Sequence, residues 1–213
     1  IAEVVEELAS YAARLNVRDV AFYDDALLVE AEAHIKPILR EIVNRKLNLR
    51  LHTPNGLHVN LIDEELASLM KQAGFATIRL SVESINPARL QDSCTKTSID
   101  GFRRGVKHLS AAGFPTASLE AYVLMGLPNQ HAQEVRETMR VVHDEGVRVR
   151  LADFSPIPGT PYFERASEFY NLNFSEPLLQ NSSALPHLVP GLLEDYRRLK
   201  SFARSLNAKL LSS

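Results

Sequence analysis

Cysteine is almost missing from this chain, whose 213 residues include only Cys94. One cysteine excludes internal disulfides and any metal site made only of thiolates within this sequence. The chain also lacks a large net charge, which is only −2. Its overall charge therefore does not attract nucleic acid. No apolar run approaches membrane-spanning length, and no signal peptide is visible. These absences favour a soluble, cytoplasmic protein.

The chain repeats one unit, in which a helix, a short turn and a strand follow one another. Apolar side chains recur at the i, i+3, i+4, i+7 spacing of a helix in five segments, and a strand-like run follows each. The expected strands are VRDVAFY, LNLRLHT, ATIRLSVE, PTASLEAYVLM and VRVRLADF. This alternation predicts a parallel sheet with right-handed crossovers, and a last helix is expected near residues 192–210.

The helix ends carry predicted capping residues. Asp63 and Ser98 are expected at N-termini, where their side chains accept hydrogen bonds from free backbone N–H groups. The residues expected to end helices in the left-handed conformation are Asn16, Gly74, Gly113 and Gly146.

The strands alternate between apolar and polar residues. In TIRLSVE, the polar residues Arg79, Ser81 and Glu83 share one face. Parallel sheets covered by helices usually read as continuous apolar runs, because both faces are buried. The alternation therefore predicts a curved sheet or partial barrel whose concave face is polar and holds a ligand.

Ligands of parallel α/β folds bind beyond the carboxyl ends of the strands. The strand-end segments 23–25, 52–55, 81–84, 122–128 and 153–156 are expected to meet at one rim. They are rich in carboxylates and hydroxyls and poor in Lys and Arg, and GLPNQ lacks the lysine and the glycine spacing of a P-loop. The rim therefore favours a cationic group or a sugar diol over a phosphate.

Structural roles compete with binding roles at several of these positions. Asp24 and Asp25 are also suited to a helix N-terminus. A buried Tyr122 hydroxyl needs a hydrogen-bond partner of any kind. His52 fits a structural role better than a metal site, because no second ligand has metal-site spacing. Glu83 lies within the polar face of a strand, and we interpret it as functional.

The strand-end segments together resemble the radical S-adenosylmethionine (SAM) superfamily, nearest to its cobalamin-associated branch. The motifs that carry the resemblance are FYDDALL, IRLSVES, CTK, VLMGLPNQ and FSPIPGTPYF. The resemblance implies an α/β fold, a partial parallel (β/α)6 TIM-like barrel that lacks its first strand. This core is expected over residues 1–165, and a C-terminal helical extension over 166–213 is expected to pack on it.

The resemblance also implies a SAM site at the strand ends. The implied SAM-binding residues are Tyr23, Asp24, Asp25, Ser81, Glu83, Lys96, Tyr122, Ser155 and Pro156. The segment 23–25 matches the one that meets the methionine amino group, and Glu83 matches a ligand-bonding Glu or Gln. Lys96 matches a basic position near the SAM carboxylate, and the segment 155–156 matches one whose backbone meets adenine. Ser81 stands where a glycine is usual.

The family's cluster loop does not occur in this sequence. The resemblance implies a C-x3-C-x2-C loop that holds a [4Fe–4S] cluster, where SAM is reductively cleaved to a 5′-deoxyadenosyl radical. Cys94 alone cannot hold a cluster. Because the chain begins at Ile1 within a helical pattern, we expect the first strand and the cluster loop to lie upstream. The cluster is then expected in the intact protein only, and cobalamin use stays open.

Three hypotheses follow. The first is that the chain is a fragment of a radical SAM enzyme, inactive by itself. The second is a non-catalytic module that has lost its cluster and binds a nucleoside or another small polar molecule. The third is a barrel enzyme of another kind that uses Glu83 or Asp25 as a general base.

Overall fold

The computed structural model describes residues 1–86, 89 and 98–212. Cys94 and the expected ligand-binding residue Lys96 lie outside the described residues. The helices are α1 (Ala2–Arg14), α2 (Ile35–Asn44), α3 (Glu64–Ala73), α4 (Ile99–Ala111), α5 (Ala132–Asp144), α6 (Pro161–Tyr170), α7 (Leu185–Leu188) and α8 (Leu192–Leu211). The strands are β1 (Asp19–Ala21), β2 (Arg50–His52), β3 (Leu57–His58), β4 (Phe75–Thr77), β5 (Arg79–Glu83), β6 (Glu120–Met125) and β7 (Arg148–Asp153).

All described strand pairs are parallel. β1 pairs with β2 and β2 with β4, while β5 pairs with β3 and β6, and β6 pairs with β7. The strands thus form a three-stranded ladder in the order β1-β2-β4 and a four-stranded ladder in the order β3-β5-β6-β7, and along the chain only Ile78 separates β4 from β5. The predicted parallel α/β core is therefore confirmed. Strand β3 was not predicted, because two residues are too few for a periodic pattern.

The polar alternation of the strands is confirmed by their burial. Leu80 and Val82 are buried against the helices, while Arg79, Ser81 and Glu83 on the other face stay partly exposed. Strand β6 alternates in the same way. The main apolar core therefore lies between the sheet and its helices, and the opposite face is left to polar side chains.

The predicted caps are also confirmed. Asp63 Oδ1 accepts from the Leu66 N–H at 2.7 Å, and Ser98 Oγ accepts from the Gly101 N–H at 3.0 Å. The expected left-handed residues Asn16, Gly74, Gly113 and Gly146 all have φ between 53° and 93°. Glycine pays no Cβ penalty in that conformation, which is why three of these positions carry it.

The C-terminal extension packs on the sheet and its helices through α8. Tyr196, Leu199, Ala203 and Leu206 are buried in the main core. Asn207 bonds both backbone groups of Val149 at 2.8 Å and so pairs part of the outer edge of β7. The domain boundary at 165 stays a prediction, and it falls inside α6. None of the described helices is both long and apolar enough to cross a membrane.

Candidate functional site

A cavity of about 380 Å³ lies at the carboxyl ends of the strands. The segments after β1 and β2 contribute to it, and so do β5, β6 and β7. Its lining residues are Asp25, Pro54, Asn55, Gly56, Ser81, Glu83, Tyr122, Leu124 and Ala152. A single cavity touched by all these strands requires the sheet to curve around it. Its volume lies within the range of small-molecule sites.

Asn55 holds Asp25 in the cavity wall. Its amide Nδ2 donates to Asp25 Oδ1 at 2.6 Å and to the Tyr23 carbonyl oxygen at 3.0 Å. Tyr23 thus takes part through its backbone, and its ring is 74% exposed. The segment after β1 is thereby tied to the segment after β2. Sequence reasoning did not single out Asn55, although its place in a polar strand-end segment was a usable signal.

Ser81 lies in the cavity wall beside Gly56. A Cβ atom at Gly56 would stand 2.2 Å from Ser81 Oγ, which is far inside contact distance. Gly56 therefore leaves room for the Ser81 side chain.

Glu83 ends β5 in an unusual backbone conformation. Its φ is +59°, and the pairing register between β5 and β6 shifts between Ser81 and Glu83. A non-glycine residue with positive φ costs on the order of 1–3 kcal/mol, and such residues cluster at functional sites. This bulge is the local feature that places Glu83 in the cavity lining.

Tyr122 forms the lower wall of the cavity. Its hydroxyl donates to the Pro54 carbonyl oxygen at 2.9 Å and accepts from Arg79 Nη1 at 3.3 Å. Arg79 also donates to the Pro54 carbonyl oxygen at 3.1 Å. The Tyr122 ring is therefore held in place by Arg79 of β5 and by the carbonyl group of Pro54 after β2.

Other expected site residues lie elsewhere. Asp24 Oδ1 accepts from the Ala26 N–H at 2.7 Å, which makes Asp24 a turn-stabilising residue, and it does not line the cavity. Ser155 donates to the Gln180 carbonyl oxygen at 2.7 Å and thus binds the C-terminal extension. Pro156 is buried. Neither Ser155 nor Pro156 lines the cavity.

A charged layer lies directly below the cavity on the same face. Glu120 accepts from Arg79 Nε at 3.0 Å and faces Arg148 Nη2 and Arg150 Nη1 at 3.5 Å each. Burial opposes the charge on Arg79, but the hydrogen bonds and charge interactions with Glu120 and Tyr122 together outweigh this effect and raise the pKa of Arg79. Sequence reasoning overlooked Arg148 and Arg150, although their alternate spacing on β7 marked them as inward-facing.

A second cavity, of about 430 Å³, lies between the 126–130 loop and α6. Arg89 in its wall already donates to Glu134 at 2.6 Å and to the Pro128 carbonyl oxygen at 3.2 Å. Its described lining contains no residue from β5, β6 or β7. The cavity at the strand ends is therefore the better candidate site, because it gathers convergent polar groups where parallel folds bind ligands.

The structure is thus a parallel α/β, barrel-like fold with a candidate ligand cavity at its strand ends. The profile of the Radical SAM superfamily matches residues 1–142, and the chain belongs to that family. Members of the family use SAM and a [4Fe–4S] cluster.

Several relatives resemble the chain over part of their length. GTP 3′,8-cyclase 1 of Mycobacterium tuberculosis is 27% identical over 69% of this chain and 42% of its own. The anaerobic magnesium-protoporphyrin IX monomethyl ester cyclase of Rubrivivax gelatinosus is 22% identical over 92% of this chain and 36% of its own. The chain thus spans less than half the length of these curated relatives.

A solved structure has the same fold. The radical SAM methyltransferase TsrM from Kitasatospora setae, with cobalamin and a [4Fe–4S] cluster bound, superposes with a TM-score of 0.67 at 24% identity. The match covers 78% of this chain and 31% of that structure. It confirms the predicted barrel-like fold.

The polar side chains of the cavity fit SAM. Carboxylates at Asp25 and Glu83 and the hydroxyl of Ser81 suit an ammonium group, a sulfonium and ribose hydroxyls. The chain does not fit the cluster, because its one cysteine cannot supply three thiolate ligands. Among residues 1–86, 89 and 98–212, no group of His, Cys, Asp and Glu side chains is arranged to hold a metal ion.

Proposed function

We propose that this chain is the SAM-binding part of an iron–sulfur radical SAM enzyme. The observation that carries the proposal is the cavity at the strand ends of a Radical SAM family member, lined by Asp25, Ser81, Glu83 and Tyr122. We also propose that the cluster cysteines lie in a segment of the protein that this chain does not include. When bound, SAM supplies the group from which the family generates its radical.

The residues of the chain have distinct roles in this proposal. Asp25, oriented by Asn55, accepts hydrogen bonds from the methionine ammonium group. Glu83, held at positive φ, accepts from a further polar group of SAM. Tyr122, fixed by Pro54 and Arg79, closes the lower wall and positions the ligand against the strand ends. The acids also raise the affinity for a ligand with two positive charges.

Binding of SAM to the intact protein under anaerobic conditions tests the role of Asp25. We expect Asp25→Asn to raise the dissociation constant about tenfold, since a hydrogen bond to a charged group is worth about 1.5–3 kcal/mol. Calorimetric titration gives this constant directly. Asp24→Asn is the matched control, because asparagine preserves the acceptor for the Ala26 N–H. Equal effects of the two substitutions would contradict the assignment.

The single cysteine favours one alternative function, a non-catalytic module that binds a nucleoside or another small polar molecule. Iron and sulfide analysis of the anaerobically reconstituted intact protein separates the two. A [4Fe–4S] content with SAM cleavage supports the enzyme. Tight nucleoside binding without iron supports the module.

A further inference from the structure

The charged layer below the cavity has an unusual balance of charge. We call Arg79, Arg148 and Arg150 the arginine layer. Its three guanidinium groups face one carboxylate, that of Glu120. In contrast, Arg50 on the same face has its own carboxylate, and Arg50 Nε donates to Asp19 Oδ1 at 2.8 Å. The arginine layer therefore carries an excess of two positive charges over its protein partner.

Arg148 and Arg150 have unused hydrogen-bond donors. Among the described residues, neither side chain donates a hydrogen bond to a protein acceptor, and their contacts with Glu120 are 3.5 Å long. The Arg148 Nε atom is buried and has no partner in the described structure. A buried donor without a partner costs about 1–3 kcal/mol, so this arrangement is unfavourable unless an acceptor joins it.

The arginine layer remains open to a ligand. The Arg150 side chain is 45% exposed and the Arg148 side chain is 33% exposed. The Arg150 guanidinium also lies 5.9 Å from the centroid of the Tyr122 ring, against the wall of the cavity. A planar guanidinium with free N–H groups binds carboxylate or phosphate through two parallel hydrogen bonds.

The layer lies close to the SAM cavity. Arg150 is in register with Tyr122 and Ser81, and Arg148 is in register with Glu120 and Arg79 one step lower. Successive inward residues of a strand are about 7 Å apart, because each residue rises about 3.3 Å. A molecule anchored at the layer would thus extend toward the ends of the strands within a short distance.

We propose that the arginine layer binds an oxyanion of the second substrate, a carboxylate or a phosphate, and holds the substrate below SAM. This inference rests on the proposed function, because it assigns the second ligand of the same barrel. Arg148 and Arg150 supply the hydrogen bonds. Arg79, held by Glu120 and Tyr122, supplies further positive charge.

Anion binding by the intact, cluster-loaded protein tests this assignment. Inorganic phosphate and glutarate are titrated separately by calorimetry at low chloride, and SAM is titrated into the same preparations. We expect Arg150→Gln and Arg148→Gln each to weaken binding of the preferred anion about tenfold. Arg198→Gln on α8, whose arginine is exposed and paired with Glu194, is the control and leaves anion binding unchanged.

A second variant separates a binding site from a purely structural ion-pair network. Glu120→Gln removes the competing carboxylate and keeps an acceptor for Arg79 Nε. We expect this variant to bind the anion several-fold more tightly, because the excess positive charge grows. A structural network instead predicts lower stability with no gain in anion affinity.

The outcomes are distinct. Phosphate binding that depends on Arg148 and Arg150 assigns a phosphorylated substrate, and glutarate binding assigns a carboxylic acid. Absence of both, or binding unchanged in both arginine variants, overturns the inference while SAM binding still supports the proposed function. If the protein fails to bind SAM but still binds the anion, the proposed function is overturned. The anion titration then still decides whether the arginine layer is an oxyanion site.

Discussion

Among the described residues, Lys36 is the only charged residue that is buried. Its side chain is 2% exposed, and its ammonium group contacts the carboxylates of Glu32, Asp63 and Glu65. Burial by itself lowers the pKa of Lys36, but the three hydrogen bonds outweigh it and raise the pKa. Lys36 thereby joins the start of α2 to the start of α3, where Asp63 also caps the helix.

Replacing Lys36 tests the stabilising effect of this contact. We expect Lys36→Met to lower the free energy of unfolding by about 2 kcal/mol, since methionine keeps the buried stem but leaves the carboxylates without their cation. The carboxylates are half exposed or more, which limits the loss. Urea unfolding at pH 7 measures it. Lys107→Met on the exposed face of α4 is the control, and an equal effect there would refute the role of Lys36.

At the scale of single residues, sequence reasoning found the caps but not this cluster. Asp63 was predicted as an N-cap because it stands just before a helical apolar pattern, and the Leu66 N–H that donates to it lies only three residues away. The contact between Lys36 and Asp63 joins residues 27 positions apart. No local pattern indicates such a contact, because it depends on how α2 and α3 pack.

At the scale of elements, α8 docks against the end of β6 at Gly126. This glycine has φ of +85°, and a Cβ there would stand 1.7 Å from the Tyr196 hydroxyl oxygen. Tyr196 is buried, and its hydroxyl donates to the Met125 carbonyl oxygen at 3.4 Å. The turn after β6 thus has two functions: it ends the strand and receives the C-terminal helix.

A pair of glycine substitutions separates these two functions. Gly126→Ala is expected to lower the free energy of unfolding by about 3 kcal/mol, from backbone strain plus the clash with Tyr196. Gly159 has nearly the same positive φ as Gly126 but open space around it. For Gly159→Ala we therefore expect a loss of only about 1 kcal/mol, from backbone strain without a clash. Denaturant unfolding compares the two. Equal losses would show that Tyr196 has no steric role.

At the scale of the whole molecule, several ion pairs connect distant parts of the fold and respond to acid. The hydrogen bonds from Arg50 and then His52 lower the pKa of Asp19 to about 2. For Asp63, burial acts against ionisation, but the Leu66 N–H and Lys36 outweigh it and lower the pKa. Hydrogen bonds from Arg40 and Lys36 lower the pKa of Glu65.

These lowered pKa values predict the acid stability of the protein. A carboxyl whose pKa is lower in the folded than in the unfolded state stabilises the fold above its unfolded pKa, and this contribution is lost as pH falls through the folded pKa. We therefore expect the urea midpoint to be steady from pH 7 to about 5 and to fall between about pH 4 and 2. Asp19→Asn should reduce the fall, and an unchanged midpoint at low pH would contradict the prediction.

The periodic patterns of the sequence predicted the main alternation of helices and strands, the caps and the polar face of the strands, but not strand β3 or helix α6. These features depend on neighbours a few positions apart, through helical and strand periods and local hydrogen bonds. The same patterns therefore predicted that the five strand ends meet at one rim.

Which strand-end residues line one cavity depends on the tertiary structure. It brings Asp25, Glu83 and Tyr122 together, adds Asn55, and directs Ser155 to the C-terminal extension. It also places Arg148 and Arg150 beside Glu120 on the next strand. The physical reason is that side-chain contacts between strands depend on the register of the strands and on the curvature of the sheet. A one-residue shift in register would turn the same side chains to the opposite face.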